Sequence, residues 1–453
     1  MSFFKNLFGS SDIPGAAGGQ GSSSGGNAAL SFGRYTDANK SPEQVKKWDE
    51  SLKLFTDKRY ADAHETFFHY LRDAGVDNVQ VSRSGDRVDF SLHQGSKVIK
   101  GFSQGDKVTA EVNIARFEKA SVAFMRKLMD LNFSLQYSKF ALKDDLICMK
   151  FSSYMLDASP NKLYYSLKEI CTKADRHDNL LVEEFKMLQA VDQEHVTQNP
   201  DQVKEIKYKY LVKWVNDAMK RASELDEVKF GGAISFLLLN VAYKIDYLIC
   251  PEGGLMNDME KIHGIYFAKD NKPFEEKNRA IIDEYKKILA KPKDYFFESF
   301  YSTRATFGIM AASDQKQVAD TVFNECGNTT WYANNNYPDI VRTIYEYIPG
   351  YCLFNFGMYR ASIGIMHLMM EIMNQDFFAE IGMPAICDTN GIPVKSLVDG
   401  RIALINQSER AEFPNFNFVT TELKYTSLFD FCASFYKEVD YMNFSKQPNP
   451  QQN

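Results

Sequence analysis

The pattern of apolar and polar positions changes character along the first 115 residues. Residues 48–55 and 60–71 place apolar side chains at every third or fourth position, which predicts two consecutive helices. Residues 76–114 instead alternate apolar with polar residues and are interrupted by the turn sequences SGD, QGS and QGD. This alternation predicts three or four antiparallel strands joined by tight turns.

A helix and a hairpin are expected after this meander. Apolar residues at helical spacing predict a helix over residues 116–132. The alternation that follows predicts a β-hairpin over residues 133–155, with its turn at Lys143-Asp144-Asp145.

A long helix closes this first region. Ser159 and Pro160 are typical of a helix start, and the helical pattern then continues to residue 185. The order helix, antiparallel meander, helix, β-hairpin, helix predicts an α+β domain over residues 41–190.

The second half, residues 200–445, is predicted to be a mainly helical domain with a short β segment near its end. Residues 196–202 are expected to form the linker before it. The detailed expectations are a helix end at 326–331, a helix over 337–349 that stops at Pro349, two short strands over 391–407 around Asp399-Gly400, and a helix over 418–444. Residues 446–453 are expected to form a disordered tail.

The N-terminus combines an amphipathic tip with a Gly/Ser-rich linker, together residues 1–40. On a helix, Phe3, Phe4, Leu7 and Phe8 fall within one arc, which suits a protein groove or a membrane surface. Two turns are too short for a stable helix in water, so an unfolded tip is the alternative. Because Gly and Ser at high density give a flexible coil, the folded region is predicted to begin near Ser41.

Composition narrows the function classes. The net charge of −6 argues against a broad nucleic-acid surface, which needs a basic stripe. The seven cysteines are scattered and never spaced as CxxC, which is typical of free thiols in a reducing compartment and offers no zinc site. Residues 233–249 and 352–373 are apolar but contain charges, so we expect buried helices rather than membrane spans. The N-terminus has no secretory signal pattern, so a cytoplasmic location is expected.

Candidate chemistry is sparse. The sequence contains no GxSxG or GxxxxGK[ST] motif, and it predicts no metal or cofactor site and no enzymatic activity. The densest group of titratable residues is Asp175, His177 and Asp178. Because Asp175 and Asp178 share a helix face from which His177 points away, we expect a solvent-exposed cluster rather than a metal or acid–base site. These two carboxylates are predicted to be available to a partner protein.

Two resemblances to known families add to this picture. SLKLFTDKRYADAHETFFHYL, within residues 48–71, resembles a single tetratricopeptide-type hairpin. VTAEVNIARFEKASVAFMRKLMDLNFSLQYSKFALKDDLICMKFSS and SLKEICTKADRHDNLLVEEF are similar to the bacterial YbjN-type family of the type III secretion chaperone-like fold, which would cover roughly a third of the chain. The second resemblance implies a non-enzymatic protein that pairs as a homodimer and holds an extended segment of a partner.

These observations predict a protein-binding adaptor or chaperone-like module with a protein client. Two alternatives stay open. One is an enzyme whose site is assembled from distant residues of 200–453, and the other is a peripheral membrane scaffold recruited by residues 1–8.

Overall fold

The computed structural model describes residues 32–446, which fold into a sheet unit followed by a helical unit. This arrangement confirms the predicted α+β fold class. The elements of the sheet unit are α1 (Pro42–Thr56), α2 (Tyr60–Leu71), β1 (Val79–Ser84), β2 (Arg87–Gln94), β3 (Lys97–Gln104), β4 (Lys107–Phe117), α3 (Val122–Phe133), β5 (Ser138–Lys143), β6 (Leu146–Tyr154), α4 (Pro160–Glu184) and β7 (Leu188–Ala190).

Seven antiparallel strands form the sheet, in the order β1-β2-β3-β4-β6-β5, with β7 paired to the end of β4. The predicted meander and hairpin are both present, and the four-strand alternative for residues 76–114 is the one observed. Helix α4 covers one face, where Leu163, Leu167 and Ile170 join a core made by alternate strand residues. The helix predicted from residue 116 begins later, because β4 continues to Phe117.

The helical unit follows β7 and contains the remaining elements. Its core is built around the paired helices α6 and α11. The elements are β8 (Thr197–Gln198), α5 (Asp201–Ser223), α6 (Gly231–Lys244), α7 (Gly253–Phe267), α8 (Phe274–Leu289), α9 (Lys293–Glu298), β9 (Tyr301–Ser302), β10 (Ala311–Ala312), α10 (Gln315–Asn334), α11 (Pro338–Asn355), β11 (Phe356–Gly357), α12 (Arg360–Met373), α13 (Gln375–Glu380), α14 (Lys395–Glu409) and α15 (Leu428–Val439). A π-helical turn, Ile245–Ile249, continues α6.

The two strands predicted over residues 391–407 are wrong. Residues from Lys395 onward form α14, in which Val398, Ile402 and Ile405 are buried. These residues recur at helical spacing along one face, so packing against α12 outweighs the β-branched composition and the Asp-Gly pair.

Pro349 does not end its helix as predicted, and α11 continues to Asn355. Proline lacks an N–H, so the carbonyl of Tyr345, four residues earlier, loses its helical partner. The Tyr436 hydroxyl donates to that carbonyl at 2.5 Å and replaces the missing bond. Two related boundaries also differ: α10 runs unbroken through residues 326–331, and the helix expected over 418–444 is limited to α15.

Residues 32–40 are not the flexible linker that the sequence predicted. The Arg34 guanidinium binds Asp246 with Nε 3.0 Å from Oδ2, and its Nη1 lies 2.8 Å from Oε1 of Glu260. On the other unit, Lys40 Nζ donates to Asp73 Oδ1 at 2.8 Å, and Tyr164 donates to Asp37 at 2.6 Å. The segment therefore ties the two units together, and the ordered chain begins before Ser41.

A second connection runs in the opposite direction, from the helical half into the sheet unit. Phe307 is part of the sheet unit's core, although it lies more than a hundred residues beyond α4. Thr306 beside it donates its hydroxyl to the His93 carbonyl at 2.9 Å. Residues 196–202 are likewise not a free linker, because β8 pairs with β9.

One helical stretch of the described residues, Gly231–Ile249, is long and apolar enough to span a membrane by composition. It is 89% buried inside the fold. It therefore has the surroundings of a core helix in a soluble protein, as the sequence predicted for residues 233–249. Residues 352–373 are also largely buried, in α11 and α12.

Candidate functional site

Asp175 and Asp178 do not form the exposed cluster that the sequence predicted. Asp178 is only 2% exposed and accepts a hydrogen bond from Ser96 Oγ at 2.5 Å. Asp175 accepts from the Ser96 backbone N–H at 2.8 Å. Both carboxylates point from α4 into the turn between β2 and β3, so they hold the fold together and offer little surface to a partner.

Gly95 makes this close approach possible. Its φ of +55° is disfavoured for residues with a side chain, and a Cβ there would lie 1.9 Å from Oδ1 of Asp175. The sequence correctly predicted the QGS turn but gave no sign that a helix about eighty residues later would pack on it. Lys97 did carry a signal, because the alternation of β3 places it on the same face as Ile99. Its Nζ is buried and lies 3.3 Å from Asp178 Oδ2.

This group of carboxylates continues across the junction of the two units to Glu252, which like Asp175 is partly buried. The Thr303 hydroxyl donates to Glu252 Oε1 at 3.0 Å. Burial raises the pKa of Glu252 to about 7, and burial together with the charges of Glu252 and Asp178 raises the pKa of Asp175 well above its usual value. Burial also raises the pKa of Asp178, although Lys97 opposes the shift. The junction is therefore most stable with protons bound to some of its carboxyl groups.

His177 points away from these carboxylates, as predicted. Its ring lies 5.8 Å from that of Phe140, and burial lowers its pKa to about 4. No set of three His, Cys, Asp or Glu side chains between residues 32 and 446 is arranged to hold a metal ion. The predicted contact residues Phe3, Phe4, Leu7 and Phe8 lie outside the described residues.

The most exposed large apolar side chain between residues 32 and 446 lies on α3. Val122 and Met129 are each 69% exposed and Phe133 is 95% exposed, an unusual state for side chains of this size. Their spacing of seven and four residues places them along one side of the helix, and we call these three residues the α3 stripe.

The opposite side of α3 is firmly attached to the sheet unit. Phe124 and Leu128 are buried in its core, and the Ser121 hydroxyl accepts from the Phe124 N–H at the start of the helix. Near the helix end, Asn132 accepts from the Phe140 N–H at 2.6 Å and donates to the Phe140 carbonyl at 3.1 Å. The α3 stripe is therefore presented on a fixed support rather than on a frayed helix.

The sequence missed the α3 stripe although its residues were assigned to a helix. The helical spacing of Phe124 and Leu128 correctly indicates the face that packs on the sheet, but it gives no sign that the apolar side chains on the other face stay uncovered. Comparisons with known proteins do not identify the site, since no protein-family model and no curated protein matches the chain.

Proposed function

We propose that the chain is a non-catalytic protein-binding module, an adaptor or chaperone-like protein, which receives an apolar segment of a partner on the α3 stripe. The exposure of Phe133 is the observation on which this proposal depends. An aromatic side chain gains most when it enters a dry pocket on a partner, and aromatic residues are frequent at the centres of protein interfaces.

The partner segment should be apolar and carry an acidic residue. Arg126 is exposed and lies beside the α3 stripe on the same side of the helix. A carboxylate is the group that a guanidinium binds best, in a two-pronged arrangement.

The expected affinity is modest. Full burial of each apolar side chain of the stripe contributes about 1.5–3 kcal/mol. Much of that gain is offset by the entropy lost when two proteins associate. A micromolar, reversible complex is therefore the expected form, which suits an adaptor better than a permanent assembly.

Two general features support the proposal. The elements between residues 42 and 184 follow the order that the resemblance to secretion chaperone-like proteins implies. All seven cysteines lie within the described residues and none forms a disulfide, in keeping with the bacterial cytoplasm as the place where the protein acts. Such proteins pair as homodimers, so a second copy is the rival occupant of the α3 stripe.

The test compares proteins captured by the full chain and by a double variant, Met129→Ser with Phe133→Ser. A matched control, Phe323→Ser, removes an aromatic side chain that is 73% exposed on α10. Any protein lost from the double variant but retained by the control is then purified and titrated against the full chain and against Arg126→Glu. We expect binding to weaken at least about tenfold in both α3 variants.

Two results would count against the proposal. Capture that is unchanged in the double variant would show that the α3 stripe binds no partner. Sedimentation that shows a dimer of the native chain and a monomer of the double variant would assign the stripe to a second copy instead of a client. Thermal unfolding of each variant confirms that the fold is retained.

A further inference from the structure

Helix α14 packs on α12 through one side. Val398, Ile402 and Ile405 are buried on that side, and the side chain of Ile405 lies against Gly364 of α12. The other side is open to solvent and is made of uncharged residues. We call it the α14 face, and it consists of Ser396, Leu397, Gly400, Ala403, Leu404, Gln407 and Ser408.

An uncharged outer side is unusual for a surface helix, which normally turns charged residues to the solvent. The exposed residues of α8 follow that rule and include Glu276, Arg279, Asp283, Lys286 and Lys287. On the α14 face, by contrast, Leu397 is 47% and Leu404 is 49% exposed. A Cβ on Gly400 between them would meet no described atom within 4 Å beyond the backbone of its own helix. Because the centres of protein contacts are poor in charged residues, the α14 face has the composition of a contact surface.

The α14 face is too small to hold a second protein by itself. A stable complex buries about 800 Å² on each partner, contributed by roughly 20–30 residues. The seven residues of the α14 face supply only a fraction of that area. A segment of the same chain needs less contact area, because a tether gives it a high local concentration.

The N-terminal tip is the segment of this chain whose chemistry matches the α14 face. Four of its eight residues are large and apolar and fall within one arc of a helix, namely Phe3, Phe4, Leu7 and Phe8. Such an arc suits an apolar surface between two turns of another helix. The tip lies outside the described residues, as does the other end of the chain, 447–453, which is polar apart from two prolines.

The described chain begins close to the α14 face. Its first residue, Phe32, packs its ring 5.3 Å from the ring of His367 on α12. Glu371 lies one turn further along the same side of α12 and binds Arg401 of α14, with Oε2 2.8 Å from Nη2. Arg401 borders the α14 face, one helical turn from each of its two leucines.

The connecting sequence has a suitable length. Steps of one helical turn or one side chain, about 5–6 Å each, put the α14 face about 15–25 Å from Phe32. Residues 9–31 are rich in Gly and Ser, and a chain of that length and composition has a typical end-to-end distance of about 25 Å. When the tether matches the span in this way, the effective concentration of the tethered segment is in the millimolar range. A contact that would be weak between separate molecules is then formed for much of the time.

We propose that residues 1–8 dock on the α14 face of their own chain as a short amphipathic helix. The apolar side chains of the tip pack around Leu397 and Leu404, and the two helices approach most closely at Gly400. Eight residues are too few for a stable helix in water, and the α14 face supplies the packing that stabilises one. The contact covers apolar surface on both partners. It is separate from the α3 stripe, so neither proposal depends on the other.

Photo-crosslinking in the full chain shows where the tip lies. Benzoylphenylalanine is introduced in place of Phe4, in the apolar arc of the tip, and the peptides that it captures on irradiation are identified by mass spectrometry. We expect the main product to join the tip to peptides of α14. Benzoylphenylalanine in place of Asn6, on the opposite side of the tip helix, is the matched control and should give at least about fivefold less of this product.

Substitutions on either partner test the contact. Leu397→Glu with Leu404→Glu places two charges on the α14 face and should lower the yield of the Phe4-position product at least about fivefold. Leu7→Ser with Phe8→Ser should cause a similar loss. It changes no residue of the described structure, so it decides the matter even if the α14 variant fails to fold. Phe323→Glu, on the exposed surface of α10, is the control and should leave the yield unchanged.

Three results would overturn the inference. The first is a main product that joins the tip to any element other than α14, or no product at all. The second is a yield that neither pair of substitutions lowers, which would mean that the apolar side chains take no part. The third comes from a mixture of ordinary and isotope-labelled chains. Crosslinks that join a labelled to an unlabelled chain would show that the tip docks on a second copy instead of its own chain.

Discussion

Phe307 provides the sharpest test of how the two units depend on each other. It belongs to the second half of the sequence, yet its ring is 1% exposed within the core of the sheet unit and lies 5.5 Å from the ring of Tyr164. Its backbone N–H and carbonyl both bind the Gln94 side chain, at 3.0 and 3.2 Å. Phe307→Ala removes the ring and leaves these backbone groups in place, so it isolates the contribution of packing.

Phe307→Ala is expected to lower the free energy of unfolding strongly. Replacing a fully buried phenylalanine by alanine costs about 3–5 kcal/mol, because the transfer energy of the ring is lost and a cavity remains. Native domains are stable by only about 5–15 kcal/mol, so the variant should lose a substantial part of its free energy of unfolding. Since the cavity opens inside the sheet unit, that unit should be weakened more than the helical unit.

Urea unfolding measures the total loss in the free energy of unfolding. Hydrogen exchange followed by mass spectrometry shows which elements are destabilised. We expect faster exchange in peptides from β2 and little change in peptides from α11. Phe323→Ala, on the exposed surface of α10, is the control and should change stability by no more than about 0.5 kcal/mol. A loss below about 1 kcal/mol for Phe307→Ala, or faster exchange confined to α11, would refute the view that this ring joins the two units.

Three further substitutions test the junction and its anchors. The pKa of Glu252 is raised from 4.5 to about 7, so the folded protein holds the proton of this carboxyl group more tightly than the unfolded chain does. The stabilisation from this proton is full below pH 4.5 and is lost as the pH rises through 7. The free energy of unfolding falls by up to about 3 kcal/mol over that range. Glu252→Gln should flatten this dependence in thermal melts between pH 5 and 8, and an unchanged slope would contradict the assignment. Gly95→Ala should lower the free energy of unfolding by more than about 2 kcal/mol, because the added Cβ would clash with Asp175. The control is Gly85→Ala, at a position with a similar φ and no atoms within 4 Å, and it should cost about 1 kcal/mol. Equal urea midpoints for the two variants would show that no clash occurs at Gly95. Arg34→Ala leaves Asp246 buried without its guanidinium partner and should cost about 3–5 kcal/mol in urea unfolding, a loss that Asp246→Asn in the same chain should partly reverse.

The fold of the sheet unit was predictable because its signals are local. Turn residues at Gly85, Gly95 and Gly105 separate stretches of alternating residues, and each adopts the positive φ that such a turn requires. The helix start at Ser159 is also confirmed, with its hydroxyl accepting from the Lys162 N–H. In this unit the local signals and the distant packing favour the same elements, unlike in residues 391–407.

The errors occur where distant contacts decide the structure. Asp175 and Asp178 look like surface residues on an isolated helix, and only the turn at Ser96 buries them. Pro349 is tolerated within α11 because Tyr436, nearly ninety residues later, supplies the missing hydrogen-bond donor. No helical or strand periodicity reports contacts of this kind.

The dependence on distant elements also explains why the α3 stripe was not predicted. The α3 stripe is exposed because no other element packs on it. Its exposure therefore cannot be inferred without the positions of all the other elements of the fold. The stripe has no consecutive motif that a search of the sequence could detect.

The connections between the units also determine how the binding function must be tested. A fragment ending near residue 190 would seem natural from the sequence, since all strands but the short pairs lie before that point. That fragment would lose the ring of Phe307 and expose the apolar pocket that it fills. It would also lose Thr306, which satisfies the carbonyls of Asn78 and His93. Newly exposed apolar surface captures proteins without specificity. Protein capture by such a fragment would therefore say little about the α3 stripe. The full chain carrying substitutions on α3 is the sample from which a specific partner can be inferred.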